Sequence, residues 1–187
     1  GDDVFAALTS GRNSVAIGSN AMDANTSGKN NVAVGHDALS GNTTADNNVA
    51  IGKSALEANT TGTQNTAVGA NAADANTTAS NVTAVGYDAL TDNTTGASNA
   101  AFGSFSLENN TTGGSNTACG HNALAGNTTA SNNTAVGAGA LEVNTTGYDN
   151  VAVGRNSLDA NTTGHSNTAV GESSLTSNTT GDRNVAI

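Results

Sequence analysis

The side chains with the clearest chemical potential are three histidines, which bind metals and transfer protons near neutral pH. They are His36, His121 and His165. A 17-residue repeat runs through the chain, and these histidines fall at positions 2, 2 and 12 of their units, where the residue type varies. Stacked units five apart would separate His36 from His121 by about 24 Å. We therefore expect surface histidines and no metal site within one chain.

Carboxylates are present but occupy no fixed place in the repeat. Position 6 is acidic in some units and Ala, Ser or Thr in others, whereas calcium-binding β-rolls carry Asp at fixed places in every turn. Structural calcium is therefore an alternative that the pattern does not favour. The serines and threonines have no paired base for nucleophilic catalysis, and the glycines form no phosphate-binding G-x-x-x-x-G-K-[ST] loop. We expect no enzymatic activity, no catalytic residue and no cofactor.

Charge and composition exclude several other classes. The formal net charge is −10, and the basic residues are Arg12, Lys29, Lys53, Arg155 and Arg183. A nucleic-acid partner needs a basic stripe and an anionic membrane surface needs a basic cluster, so neither is expected. Cys119 is the single cysteine, which rules out a disulfide within the chain. No apolar run approaches the length of about 18 residues that membrane insertion requires.

The repeat accounts for the whole chain. Gly recurs every 17 residues from Gly1 to Gly171, and the consensus unit is G-x-x-A-L-x-x-N-T-T-G-x-x-N-(V/T)-A-V. We predict a single repeat array over residues 1–187. Residues 1–17 form an atypical first repeat or cap, with Val4, Phe5 and Leu8 in place of Ala, Leu and Asn, and residues 18–187 form ten regular repeats. The last unit is regular, so we expect further coils or end-to-end stacking on another copy.

A 17-residue period is too short for a pair of helices and suits one coil of a parallel β-solenoid. In N-V-A-V-G, β-branched residues at positions 15 and 17 flank Ala at 16, which predicts a strand. The A-L segment is a candidate second strand. N-T-T-G predicts a turn, since Asn tolerates left-handed conformations and Gly adopts them freely. Ala45, Ala79 and Ala130 replace this Gly, so a left-handed conformation at position 11 is not obligatory. The predicted fold is an all-β parallel β-solenoid (β-roll) of eleven coils, a rod roughly 50 Å long.

Stacking turns each fixed position into a ladder of identical side chains. Asn at position 8 can donate to the coil on one side and accept from the coil on the other. The ladder candidates are Asn25, Asn42, Asn59, Asn76, Asn93, Asn110, Asn127, Asn144, Asn161 and Asn178. These asparagines also begin N-x-S/T sequons, which glycosylation enzymes recognise, but we interpret them as turn and ladder residues.

Alanine never varies at position 16. Alternation along a strand places positions 15 and 17 on one side and 16 on the other. With position 17 assigned to the interior, the alanines face outward, and their invariance predicts close approach by an identical chain in a homotrimer. The assembly-interface candidates are Ala16, Ala33, Ala50, Ala67, Ala84, Ala101, Ala118, Ala135, Ala152, Ala169 and Ala186. The alternative places them inside a narrow single-chain coil.

The segments Asn13–Gly18, Asn31–Gly35 and Asn48–Gly52 resemble the S-V-A-I-G-type repeat of trimeric autotransporter adhesin heads. The longer unit N-T-A-V-G-x-x-A-L-x-x-N-T-T-G resembles arrays in phage tail-fibre and bacterial surface proteins. This resemblance covers the whole chain. It implies a parallel β-roll wound from three chains, a location on the cell or virion surface, and attachment to a receptor or matrix.

These observations predict an extracellular structural fibre, or an adhesin stalk or head segment, that displays a distal tip or mediates attachment. Its partners would be copies of itself and a cell-surface or glycan receptor. The alternative is a module that recognises glycan, matrix protein or ice along its side, through variable positions such as those of Tyr87 and Tyr148. Ice binding usually needs two Thr ranks from a T-x-T pattern, whereas adjacent threonines at 9 and 10 point to opposite sides of a strand.

Overall fold

The computed structural model describes residues 3–187, so Gly1 and Asp2 of the first predicted repeat lie outside the described residues. The chain is all-β, with one short strand in each unit. The strands are β1 (Val15–Ile17), β2 (Val32–Val34), β3 (Val49–Ile51), β4 (Thr66–Val68), β5 (Thr83–Val85), β6 (Ala100–Phe102), β7 (Thr117–Cys119), β8 (Thr134–Val136), β9 (Val151–Val153), β10 (Thr168–Val170) and β11 (Val185–Ala186). They form one parallel sheet in chain order, which confirms the predicted β-solenoid with 17-residue coils.

Each strand pairs with the next at the same position of the repeat. Val15 lies opposite Val32 and Ala16 lies opposite Ala33, and this offset persists to the pair of Thr168 and Val185. Parallel strands lie about 4.8 Å apart, so ten intervals give a sheet about 48 Å long. The constant register follows from the sequence, because any shift would place the buried Ala of one coil beside an outward β-branched residue of the next.

The rest of each coil is held by turns, not by a second strand. The prediction of a strand at A-L is wrong, because position 5 adopts a left-handed conformation, with φ between 50° and 60°, in every described coil. Position 3 is also left-handed in every described coil, as in Asn71 and Phe105. Each left-handed non-glycine residue costs on the order of 1 kcal/mol. Burial of the Leu side chain and a bond such as Leu39 N–H to the Ala55 carbonyl (3.0 Å) offset that cost.

The predicted turn at N-T-T-G is present as a bend at positions 9 and 10 of each coil. None of the described glycines at position 11 has φ in the left-handed region, and neither do the asparagines at position 8. The left-handed residue lies two places further on, at position 13, as in Asn47 and Ser98. Position 1 is different: Gly86 has φ +142°, and a Cβ there would lie 2.6 Å from the carbonyl carbon of Gly103. Glycine is therefore required at position 1 for two reasons: the positive φ disfavours any other residue, and the backbone of the next coil leaves no room for a Cβ atom.

The two faces of the sheet are the reverse of the prediction. The alanines at position 16 point into the coil and are fully buried from Ala33 to Ala169, whereas Ile51 at position 17 is 39% exposed. The outward orientation predicted for the interface candidates is therefore wrong. The first and last of these alanines are half-buried, and all the others are buried. The series is Ala16, Ala33, Ala50, Ala67, Ala84, Ala101, Ala118, Ala135, Ala152, Ala169 and Ala186. Their invariance has an internal cause, since each methyl packs against residues at positions 4 and 5 in one narrow core.

The asparagines at position 8 form a continuous buried ladder. Each Nδ2 donates to Oδ1 of the asparagine one coil earlier, as Asn110 does to Asn93 (2.8 Å), and the nine successive bonds measure 2.8–3.4 Å. The same Nδ2 also donates to the carbonyl at position 11 of its own coil, as Asn110 does to Gly113 (2.9 Å). Together these bonds satisfy amides that would otherwise be costly to bury.

A second buried row of asparagines, at position 14, joins side chains to backbone. Asn31 accepts from the backbone N–H of Asn48 (2.9 Å) and donates to the Ala45 carbonyl (2.8 Å). Val82 interrupts this row. Its N–H still donates to Asn65 Oδ1 (2.9 Å), but its own side chain offers no oxygen to the following coil.

The first coil departs from this pattern where the sequence does. Leu8 replaces the ladder asparagine and is 41% exposed. Phe5, Leu8, Gly11 and Arg12 contribute to a small depression of about 100 Å³ beside it. Within residues 3–187, the structure contains no helix with the length and apolar character needed to cross a membrane.

Candidate functional site

The three histidines lie in separate surroundings, at the surface or partly covered. His36 contacts the carboxylate of neighbouring Asp37, with 2.6 Å between Nδ1 and Oδ2. His121 packs on an aromatic ring, and His165 Nε2 lies 3.3 Å from Asp182. In the described part of the chain, no three His, Cys, Asp or Glu side chains come together in a metal-binding arrangement.

An open groove of about 510 Å³ runs over positions 6 and 7 of three successive coils. Glu57 and Asp74 line it, together with small residues such as Gly41 and Ala58. Burial raises the pKa of Asp74 above its usual value, although a hydrogen bond from the Thr91 hydroxyl (2.7 Å) acts in the opposite direction. The lining of the groove contains the two acids Glu57 and Asp74 and no basic side chain.

The threonines at position 9 serve the scaffold. Each hydroxyl donates to the backbone carbonyl of the threonine one coil later, as Thr94 does to Thr111 (3.0 Å), and ten such bonds link successive coils. Position 10 is Ser or Thr in every unit, and most of these side chains are exposed. One hydroxyl row is therefore committed to the backbone and the other faces solvent.

The sequon asparagines are core residues. Nine of them, from Asn25 to Asn161, belong to the buried set, and Asn178 in the last coil is half-buried. Their amide nitrogens are already committed as donors within the rod. In the folded chain these side chains act as structural amides, as the sequence interpretation expected.

The most continuous exposed surface is the outer face of the sheet, formed by positions 15 and 17, which we call the outer strip. It contains five threonines and no charged residue. The outer strip consists of Val15, Ile17, Val32, Val34, Val49, Ile51, Thr66, Val68, Thr83, Val85, Ala100, Phe102, Thr117, Cys119, Thr134, Val136, Val151, Val153, Thr168, Val170, Val185 and Ile187.

Large apolar side chains on the outer strip are exposed or half-buried along its whole length. Ile17 is 60% exposed near one end, Phe102 44% in the middle and Val170 37% near the other end. Rows 15 and 17 lie about 7 Å apart, and the strip extends over about 48 Å. With its flanks it presents on the order of 500 Å² of mostly apolar surface, within the range of about 300–600 Å² found for the largest patch on a monomer, which is often functional.

Sequence reasoning missed the outer strip because it assigned position 17 to the core. One signal was available. Thr occupies position 15 in five units, and a hydroxyl without an internal partner is costly to bury. Val and Thr exchanging freely at one position therefore indicates a face in contact with water.

The variable positions place aromatic side chains together. The ring of Tyr87 contacts that of Phe105, and Phe105 contacts His121 in the following coil. Tyr148 instead stacks face to face on His165, with centroids 4.7 Å apart and planes inclined by 13°.

Comparison of the chain with protein-family models, with curated proteins and with solved structures found no match.

Proposed function

We propose that this chain is a rigid structural segment of an extracellular fibre or adhesin, located on a cell or virion surface, with a mechanical rather than a catalytic role. The observation that carries this proposal is the unbroken 17-residue register. Every coil is joined to the next by strand pairing and by the threonine hydroxyls, and the buried asparagine ladder also joins every coil from the second onward. Each coil thus adds a fixed length and the same set of bonds, which is what a spacer requires.

We further propose that copies assemble side by side through the outer strip. A surface without charge is unusual on a chain whose net charge is −10, because acidic side chains are otherwise spread over the variable positions. About 500 Å² per chain would bury about 1,000 Å² in a pair, near the lower end of specific interfaces. Burial of exposed Val and Ile would provide the driving force.

A second copy fits this strip better than an unrelated partner does. Its rows repeat at the coil spacing of about 4.8 Å, and another copy placed parallel presents the same spacing at every level. Such packing is cyclic about an axis along the rod. The resemblance to trimeric adhesin heads favours three chains. We therefore propose that positions 15 and 17, and not the alanines at position 16, form the interface between chains.

Sedimentation of the purified chain tests this assembly. We expect a trimer, and we expect the double variant Val136→Lys with Val153→Lys to dissociate into monomers, because it places two charges on the outer strip. The matched control is Thr129→Lys with Thr146→Lys, which adds the same charges to the same two coils at exposed position 10. Circular dichroism establishes that both variants retain the fold.

A monomeric parent chain, or equal behaviour of the two variants, would overturn the assembly proposal. The rod proposal is checked separately by small-angle scattering, which should give a maximum dimension of about 50 Å per eleven coils.

The second candidate function is recognition of a partner along the side of the rod. The aromatic contacts among Tyr87, Phe105 and His121 favour it, since they occur at variable positions outside the outer strip. If ice is the partner, the candidate surface is the exposed row of hydroxyls at position 10, because the hydroxyls at position 9 already donate to the backbone. Thermal hysteresis of the purified protein tests ice binding.

A further inference from the structure

The middle of the rod has a local composition unlike its ends. Residues 69–153, five complete coils, contain no Lys or Arg. The same stretch contains the acids Asp74, Asp88, Asp92, Glu108, Glu142 and Asp149. Four of the five Phe and Tyr residues also fall here, and three of them, Tyr87, Phe102 and Phe105, lie in two adjacent coils. Negative charge and aromatic surface are therefore concentrated together.

The geometry brings three rings from consecutive coils into contact. The centroids of Tyr87 and Phe105 are 5.4 Å apart with planes at 81°, and those of Phe105 and His121 are 5.7 Å apart with planes at 82°. Both outer rings thus stand nearly perpendicular to the central one. Tyr87 is 50% exposed and His121 is also exposed, while Phe105 is half-buried between them. We call these three residues the aromatic patch.

Carboxylates border the aromatic patch without a basic partner in these five coils. The neighbouring Asp88 raises the pKa of Tyr87 through hydrogen bonding and charge. Burial raises the pKa of Glu108, and the charges of Asp88 and Asp92 raise it further. Asp88 also accepts from the side chain of Asn71 (2.9 Å), which fixes its position. The negative charges beside the rings therefore interact with one another and are not neutralised.

We propose that the aromatic patch binds an arginine or lysine side chain in a basic segment of a partner protein. A guanidinium or ammonium group is attracted to the face of an aromatic ring within about 6 Å, and arginine also stacks on such rings while donating to carboxylates. Asp88 and Glu108 supply those acceptors. Charge complementarity favours a cation over a neutral ligand, because a sugar can donate hydrogen bonds to the uncompensated acids but gains no attraction between opposite charges.

The contact between Tyr148 and His165 explains why we do not expect the second tyrosine to bind an arginine or lysine side chain in the same way. Its ring lies face to face with the imidazole of His165, which covers one face of the tyrosine. His165 also lies near Asp182, so the local carboxylate already has a partner. Tyr148 is therefore a natural internal control.

Tyrosine fluorescence provides a direct assay, since the chain has no Trp and only two Tyr. In a Tyr148→Phe background the signal comes from Tyr87 alone. Hexa-arginine peptide should change this signal saturably, hexa-glutamate should not, and the apparent affinity should fall as salt is raised. Phe105→Ala should weaken binding about two- to fivefold, the range expected for an exposed cation–π contact.

A charge-matched pair of variants separates a specific site from the overall negative charge. Asp88→Asn with Glu108→Gln should weaken hexa-arginine binding by at least about fivefold, whereas Asp23→Asn with Asp182→Asn should change it less than about twofold. Equal effects of the two double variants would overturn the proposal, as would binding unaffected by Phe105→Ala. A neutral oligosaccharide that changes Tyr87 fluorescence as strongly as hexa-arginine would also overturn it, in favour of a glycan site.

Discussion

Asn110→Ala should lower the free energy of unfolding by about 4 kcal/mol, because it removes three buried hydrogen bonds from the middle of the rod. Asn110 donates to Asn93 Oδ1 (2.8 Å) and to the Gly113 carbonyl (2.9 Å), and it accepts from Asn127 (2.8 Å). Three bonds contribute about 3 kcal/mol, and the buried Asn93 oxygen left without its donor costs about 1 kcal/mol more.

The neighbouring residue provides a matched control for this substitution. Asn109 is exposed and donates once, to the Ala125 carbonyl (2.8 Å). Asn109→Ala should therefore cost less than about 1 kcal/mol. Both variants are compared by equilibrium urea unfolding followed by circular dichroism, at one protein concentration because assembly contributes to apparent stability.

Equal losses in the two variants would refute the reasoning, because the asparagine ladder would then contribute no more than a surface amide. The urea m-value must stay constant for this comparison, since a repeat array can unfold in parts.

Three further predictions concern single coils and use the same unfolding measurement. Val82→Asn should stabilise the chain by about 1 kcal/mol, because it gives the N–H of Asn99 the side-chain acceptor that other coils provide. Gly86→Ala should destabilise by at least about 3 kcal/mol, since φ is +142° and the added Cβ would lie 2.6 Å from the next coil's backbone. Burial raises the pKa of Asp74 in the folded state, so the folded chain binds more protons between the ordinary value of 3.8 and that raised pKa. Stability therefore falls as pH rises through this window, and Asp74→Asn should stabilise the chain above it.

Each of these predictions has its own contrary result. A loss of stability in Val82→Asn would mean that packing of the valine outweighs the missing bond. Gly114→Ala is the control for Gly86→Ala, because Gly114 has no left-handed φ and the other coils carry larger residues at this position. Its added Cβ would lie 3.0 Å from the Ala97 carbonyl oxygen, and the substitution should cost less than about 1 kcal/mol. An unchanged pH profile in Asp74→Asn would show that this carboxyl does not contribute to the acid dependence.

The fold was predictable because the repeat leaves few choices. Seventeen-residue spacing without insertion, with a β-branched strand segment in each unit, requires coils that stack in register. The asparagine ladder followed from the same reasoning, since amides at one level can bond to amides at the next. Both features depend on which residues recur, and recurrence is visible in the sequence.

The orientation of the strand was not predictable from recurrence alone. An invariant alanine fits a narrow core and a close interface between chains equally well, so Ala84 and its equivalents did not separate the two. The core is narrow because Leu90 and its equivalents adopt left-handed conformations, and a leucine gives no sequence signal for that. Threonine at position 15, as in Thr83, was the one residue type that indicated that positions 15 and 17 face the solvent.

The aromatic patch was missed for a different reason. Tyr87 and Phe105 occupy positions 2 and 3 of their units, so their separation is one residue longer than the period, and a search for identical positions does not pair them. Contact between them depends on how side chains lean between coils, which the structure shows directly.

Disulfide formation at Cys119 tests the side-by-side assembly most directly, because this residue is exposed on the outer strip. The unmodified chain is refolded together with a double variant, Cys119→Val with Val153→Cys, whose thiol lies two coils away. Disulfide bonding requires Cα atoms within about 7 Å, and two coils span about 9.6 Å. We predict that mild oxidation yields only disulfides between identical chains. Mixed disulfides in equal amount, or no disulfide at all, would contradict packing of copies at the same level through the outer strip.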